Sequence, residues 1–142
     1  PCDTPGVNTS AMATYALSDD SAIVVGYFFR DAMFNEGTAE EIRLEGIGGE
    51  DLFVARYRAD GSVVWAKAGG GTGNDKATGV TLDPGGTTCV VTGEFNGGGV
   101  LWLGEAEHSR LDSSKGGIVP FEATVSTSDG AMKSLRQHIS NK

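Results

Sequence analysis

The chain has 142 residues, a formal net charge of -8 and a pI near 4.6, with 39% hydrophobic residues, 22 Gly and only 4 Pro. That profile suits a turn-rich globular β protein of about one domain and excludes a disordered or collagen-like chain. Net acidity argues against a nucleic-acid partner, because phosphate affinity is built from clustered Lys and Arg. The one basic cluster, Lys133, Arg136, His138 and Lys142, reads as a solvated tail.

Taken in order, residues 13–18, 22–29, 51–58 and 63–68 are short, rich in Val, Phe, Tyr and Trp, and bounded by Asp-Asp, Gly-Gly or Asp-Gly pairs, which predicts four strands. Within 51–58, Phe53, Ala55 and Tyr57 share one face and Val54, Arg56 and Arg58 the other, the pattern of a half-buried strand. Asp60-Gly61 supplies a tight hairpin turn. Residues 38–44 are the best helix candidate, at barely two turns. Four more strands are predicted over 76–83, 87–95, 118–126 and 131–137. The longest apolar run, 22–29, is far below the roughly 20 residues of a membrane helix, so no membrane span is expected. The sequence starts at Pro1 without a charged-then-apolar leader, which reads as a processed, truncated or excised chain.

The second set of strands repeats the first. At an offset of 67, eight of the 24 pairs between 22–45 and 89–112 are identical, including Gly26 with Gly93, Phe28 with Phe95 and Leu44 with Leu111. Unrelated sequence would give about one or two, so a duplication is the better explanation. Gly48 and Phe53 match Gly116 and Phe121 at 68, Asp60-Gly61 matches Asp129-Gly130 at 69, and Leu17 matches Leu82 at 65; such one-residue drifts belong in turns.

From Asp51, Phe53, Ala55 and Tyr57 through Asp60-Gly61, Trp65, Gly69-Gly70, Gly73, Asp75, Ala77, Asp83 and Gly86 to Gly93 and Phe95, the sequence resembles the bacterial SBBP β-propeller repeat. The match is dense over 51–95 and looser over 12–29 and 116–136. The second copy departs from it: Ser134 stands at the position of Trp65, Thr124 at that of Arg56, and Pro120 precedes Phe121, while in the first copy Ser10 is aligned with Asp75. The resemblance implies an all-β fold of two four-stranded antiparallel propeller-blade-like repeats, 12–70 and 71–137, between an N-terminal segment 1–11 and a tail 138–142. Two blades do not close a ring. A fragment of a larger β-propeller is therefore expected, with an apolar face on each unit covered by the remaining blades or by self-association.

Several residues invite a site. Gly70-Gly71-Thr72-Gly73-Asn74-Asp75 fits the calcium β-roll pattern, but no second copy exists to complete a cage. Asp75 is thus the one metal candidate, with a turn carboxylate the preferred reading and no cofactor expected. Asp19-Asp20 and Asp83-Pro84-Gly85-Gly86 read as turns. His108 beside Glu107 has the minimum for a general base, without any nucleophile motif or second His or Cys nearby, so no catalytic residue is assigned. Trp102, in a Gly-flanked insertion, is a binding candidate together with Glu107 and His108, whereas Trp65 occupies a core position of the repeat. Cys89, in an apolar stretch, reads as a buried thiol, with a Cys2–Cys89 disulfide the alternative.

These features point to a non-enzymatic interaction scaffold, extracellular, at the cell surface or periplasmic, contacting a protein or a polysaccharide through its variable insertions. The alternatives are a piece of an extracellular propeller enzyme or glycan-binding protein acting on polysaccharide, and a purely structural spacer.

Overall fold

The computed structural model describes residues 9–35, 37–70, 73–96, 99–101, 109–111 and 118–137. Among the described residues ten strands form: β1 (Thr9–Ala16), β2 (Ala22–Phe34), β3 (Ile42–Tyr57), β4 (Val63–Gly70), β5 (Lys76–Leu82), β6 (Thr88–Asn96), β7 (Gly99–Leu101), β8 (Ser109–Leu111), β9 (Ile118–Ser126) and β10 (Met132–Gln137). Among the described residues there is no helix, and hence none long and apolar enough to cross a membrane. The predicted helix over 38–44 is instead a turn followed by the start of β3. Two turns of helix with no packed face do not outcompete ladder hydrogen bonds to β2.

All pairing is antiparallel, in two sheets of order β1-β2-β3-β4-β7-β8 and β10-β9-β6-β5. Each repeat contributes a four-stranded meander, β1–β4 and β5-β6-β9-β10. The first sheet has six strands and not the expected four, because the β7–β8 hairpin of the second repeat adds to the edge of the first, pairing Gly69 with Leu101 and Gly70 with Val100.

The registers fix the internal equivalences. Arg56 faces Trp65 across β3–β4 and Thr124 faces Ser134 across β9–β10; both ladders carry a bulge next to that pair. Tyr27 pairs with Ser10, and its counterpart Glu94 pairs with Lys76. Lys76 is therefore the counterpart of Ser10, and Asp75 corresponds to Thr9, one residue earlier than the sequence alignment placed it.

The sheets pack face to face. Ile23, Val25, Leu52, Val54 and Trp65 of the first meet Val80, Val91, Phe95, Phe121, Ala123 and Val125 of the second. Phe95 and Phe121 stack edge to face at 5.2 Å, a geometry worth about 1 kcal/mol beyond area burial. The counterparts of Phe95, Phe121 and Ala123 are Phe28, Phe53 and Ala55, which lie on the opposite face of the first sheet. The units thus associate head to tail, the receiving face of one on the presenting face of the other.

β3 is buried on both sides, since Leu52 and Val54 join one core while Phe53 and Ala55 join the other, with Tyr57 half-buried against it. The half-buried alternation expected from the sequence is corrected accordingly. What covers the Phe53 side is the chain itself. After a bulge at Arg30, whose φ is +74°, the distal arm of β2 and β3 folds back over its own sheet, placing Ala32, Phe34 and Leu44 in that core. Phe34 reaches Phe53 at 5.9 Å and Tyr57 at 6.3 Å. At the tip, Asn35 Nδ2 donates to Val63 O at 2.8 Å and Val63 N donates to Asn35 Oδ1 at 2.8 Å.

The presenting face of the second sheet is also not an apolar flank. Where the first unit has Ile23, Val25, Leu52, Val54, Arg56 and Trp65, the second has Val90, Thr92, Pro120, Glu122, Thr124 and Ser134. Arg136 lies 3.9 Å from Glu122 on it. A polar outer face is what a terminal repeat requires for solubility. The expectation that each unit leaves an uncovered apolar face is thereby overturned among the described residues.

Candidate functional site

The most elaborate polar arrangement lies where the two units meet. Arg56 and Trp65, cross-strand neighbours, both project toward the β9–β10 turn of the second unit. Arg56 Nη1 donates to Thr127 O at 2.7 Å and Trp65 Nε1 donates to the same carbonyl at 2.9 Å. Arg56 Nη2 pairs with Asp19 Oδ2 at 2.9 Å, and Nε donates to Ser21 Oγ at 3.2 Å. A planar guanidinium can serve three acceptors at once, which a Lys ammonium on a flexible stem does less well. Thr127 is fixed in turn by donating its amide to Thr87 O and its hydroxyl to Gly86 O, both at 2.9 Å.

The Trp65 ring covers Gly130, where a Cβ would lie 2.6 Å from Cε3 and where φ is +78°, so glycine is required there by both space and backbone. Sequence reading found the Trp65 burial but missed Thr127 and the Asp19–Arg56 pair, because a backbone acceptor and a contact 37 residues apart leave no local signature.

The turns at this end hold their carboxyls well below the ordinary Asp value. Ser21 hydroxyl and amide bonds do so for Asp19, with help from Arg56; the Ser62 hydroxyl and amide do so for Asp60; the Ala131 amide leads for Asp129. These carboxyls are depressed on folding, so what they contribute is present above about pH 4, the unfolded value, and lost as pH falls through the lower folded values. The melting temperature is expected to be level above pH 5 and to fall below pH 4, with a shallower acid slope in an Asp19→Asn, Asp60→Asn, Asp129→Asn variant. Equal slopes would contradict these assignments.

A second polar node closes the opposite end. Asp75 is fully buried and accepts from Asn96 N at 3.0 Å, while its own amide donates to Glu50 O at 2.6 Å. Asn74 Oδ1 accepts from Glu50 N at 3.0 Å, and Lys76 Nζ sits 3.6 Å from the Glu50 carboxylate and 5.0 Å from the Tyr27 ring centroid. Asp51, also fully buried, fits between Gly46 and Gly70, whose missing side chains make its room. Asp75 thus joins the first unit, through its amide, to β6, through its carboxylate, a bond that spans 21 residues of sequence. Among the described residues no three His, Cys, Asp or Glu side chains converge on a common point, and Gly71 and Thr72 of the same loop lie outside the described residues.

Trp102, Glu107 and His108 belong to the segment between β7 and β8 and also lie outside the described residues. The structure does show where that segment is rooted, on a hairpin hydrogen-bonded to β4 of the other unit. Cys89 is a fully buried free thiol, pushed up to about 11 chiefly by burial; Cys2 is outside the described residues. At pH 8 roughly one Cys89 in a thousand is thiolate, so aromatic disulfide reagents should modify it only on unfolding. Rapid modification of native protein at Cys89 would contradict its burial. No protein-family model, no curated protein and no solved structure matches the chain.

Proposed function

We propose that the chain is a non-enzymatic repeat module of the SBBP propeller type, working outside the cytoplasm as an interaction scaffold for a protein or a polysaccharide of the cell surface. The observation that carries this reading is the anchoring of the β7–β8 hairpin: it pairs with β4 of the first unit, so the segment that carries Trp102, Glu107 and His108 is joined at both ends to strands tied to the other unit. A contact loop on a rigid base loses less entropy on binding than one on a free tether. The polar side chains of Arg56, Trp65, Asp19 and Asp75 are engaged in joining strands and units, which suits a scaffold.

The test is retention of the labelled chain on bacterial envelope polysaccharide and on envelope protein, alongside a hydrolysis panel on the same material. Binding without turnover, reduced at least tenfold by Trp102→Ala with an unchanged circular dichroism spectrum, is the expected result. Turnover lost on Glu107→Ala or His108→Ala would replace this reading with the enzyme one, and absence of both binding and turnover would favour a spacer.

A further inference from the structure

The two repeats carry the same distal arm in two different positions. In the first unit Phe34 pairs with Ile42; in the second the equivalent pair is Leu101 with Ser109. The first arm lies over the Phe53 face of its own sheet, where Phe34 and Asn35 hold it. In the second unit the equivalent face, that of Phe121, is occupied by the first unit, and the arm pairs instead with the last strand of that neighbour, at Gly69 and Gly70. The second arm therefore shows where the first would go if its face received a neighbour.

The seat for such a neighbour is also present. Trp65 lies on Gly130 in the turn of the second unit; the equivalent turn of the first unit has Gly61, at φ +91°, with open space around its Cα. Its Arg58 carbonyl accepts from Gly61 N at 2.9 Å, as the Ser126 carbonyl accepts from Gly130 N at 2.9 Å in the second unit.

We propose that the arm 31–45 is a displaceable strap over a docking face, and that the partner which displaces it is a further repeat unit presenting an aliphatic face with a Trp to lie on Gly61. On docking, the strap swings out to extend the last strand of the incoming unit, as β7 extends β4. The wild-type chain does not offer such a face on its second unit, where Glu122, Thr124 and Ser134 stand, so the strap stays closed in the isolated protein. This inference is independent of what the 102–108 loop binds.

The test uses as probe a second full-length copy whose presenting face is restored by Thr92→Val, Glu122→Val, Thr124→Arg and Ser134→Trp, or by the last two changes alone if the fourfold variant does not fold. The probe should bind Asn35→Ala about ten times or more tighter than it binds the wild-type chain, because Asn35 stabilises only the closed state. Reverting Ser134→Trp in the probe should abolish the difference. Hydrogen exchange on the wild-type chain gives an independent reading: saturating probe should change amide protection across 31–45 while leaving β5 and β6 as they were. Equal affinity for the two chains, binding that leaves 31–45 unchanged, or no binding by either folded probe would overturn the proposal.

Discussion

Trp65→Ala is expected to cost about 3–5 kcal/mol, the range for removing a buried Trp from a packed core. The loss combines the buried ring, its cover over Gly130 and the bond from Nε1 to Thr127 O, and it leaves Arg56 to hold that carbonyl alone. For a chain of this size the melting temperature should fall by roughly 6–20 °C. Ser134→Ala, at the equivalent position of the second unit, should stay within about 0.5 kcal/mol, because Ser134 is exposed. Denaturant titration followed by circular dichroism measures both. Equal effects at the two positions would show that the junction is not where the repeat places it.

The second large effect is expected at Gly93. The bulge between Ala77 and Gly79 brings β5 across this residue, so a Cβ there would collide with the Lys76 carbonyl oxygen and lie 2.8 Å from Phe121 Cε1 and 2.9 Å from Ala77 Cα. Backbone atoms of a neighbouring strand cannot yield without opening the β5–β6 ladder. Gly93→Ala should therefore cost about 3 kcal/mol, the upper part of the usual range for overpacking. Gly85→Ala, where nothing lies within 4 Å, should be close to neutral. A small effect at Gly93 would mean that β5 does not cross β6 in this register.

The strands and the duplication were legible because they rest on local signals. Phe53, Ala55 and Tyr57 alternate, Asp60-Gly61 turns the chain, and Gly26 and Gly93 recur because in both copies a β-bulge presses the neighbouring strand on them. The arm was not legible. Residues 38–44 carry Glu40, Glu41 and Arg43, which favour a helix locally, yet tertiary packing of Phe34 and Leu44 over Phe53 decides the outcome. The strand predicted to stop at Phe29 runs on to Phe34 for the same reason. The departures of the second copy were visible as Thr124 and Ser134, but their meaning was not, since only the geometry shows that Arg56 and Trp65 meet on the Thr127 carbonyl of the next unit. Of the candidate site, Asp75 stood out in the sequence but its bond to Asn96 N, 21 residues away, did not, and Asp51 headed the repeat motif without any sign that Gly46 and Gly70 house it.

The central claim is that the two sheets form one body joined head to tail through the Arg56–Trp65 contact. The chain has two Trp residues, so a Trp102→Phe variant leaves Trp65 as the only indole reporter of the junction. Denaturant unfolding of that variant, followed by Trp65 emission and by far-ultraviolet circular dichroism, should give coincident single transitions. Trp65 becoming solvated at a denaturant concentration where most of the strand signal survives would contradict the claim, because the units would then separate before either unfolds.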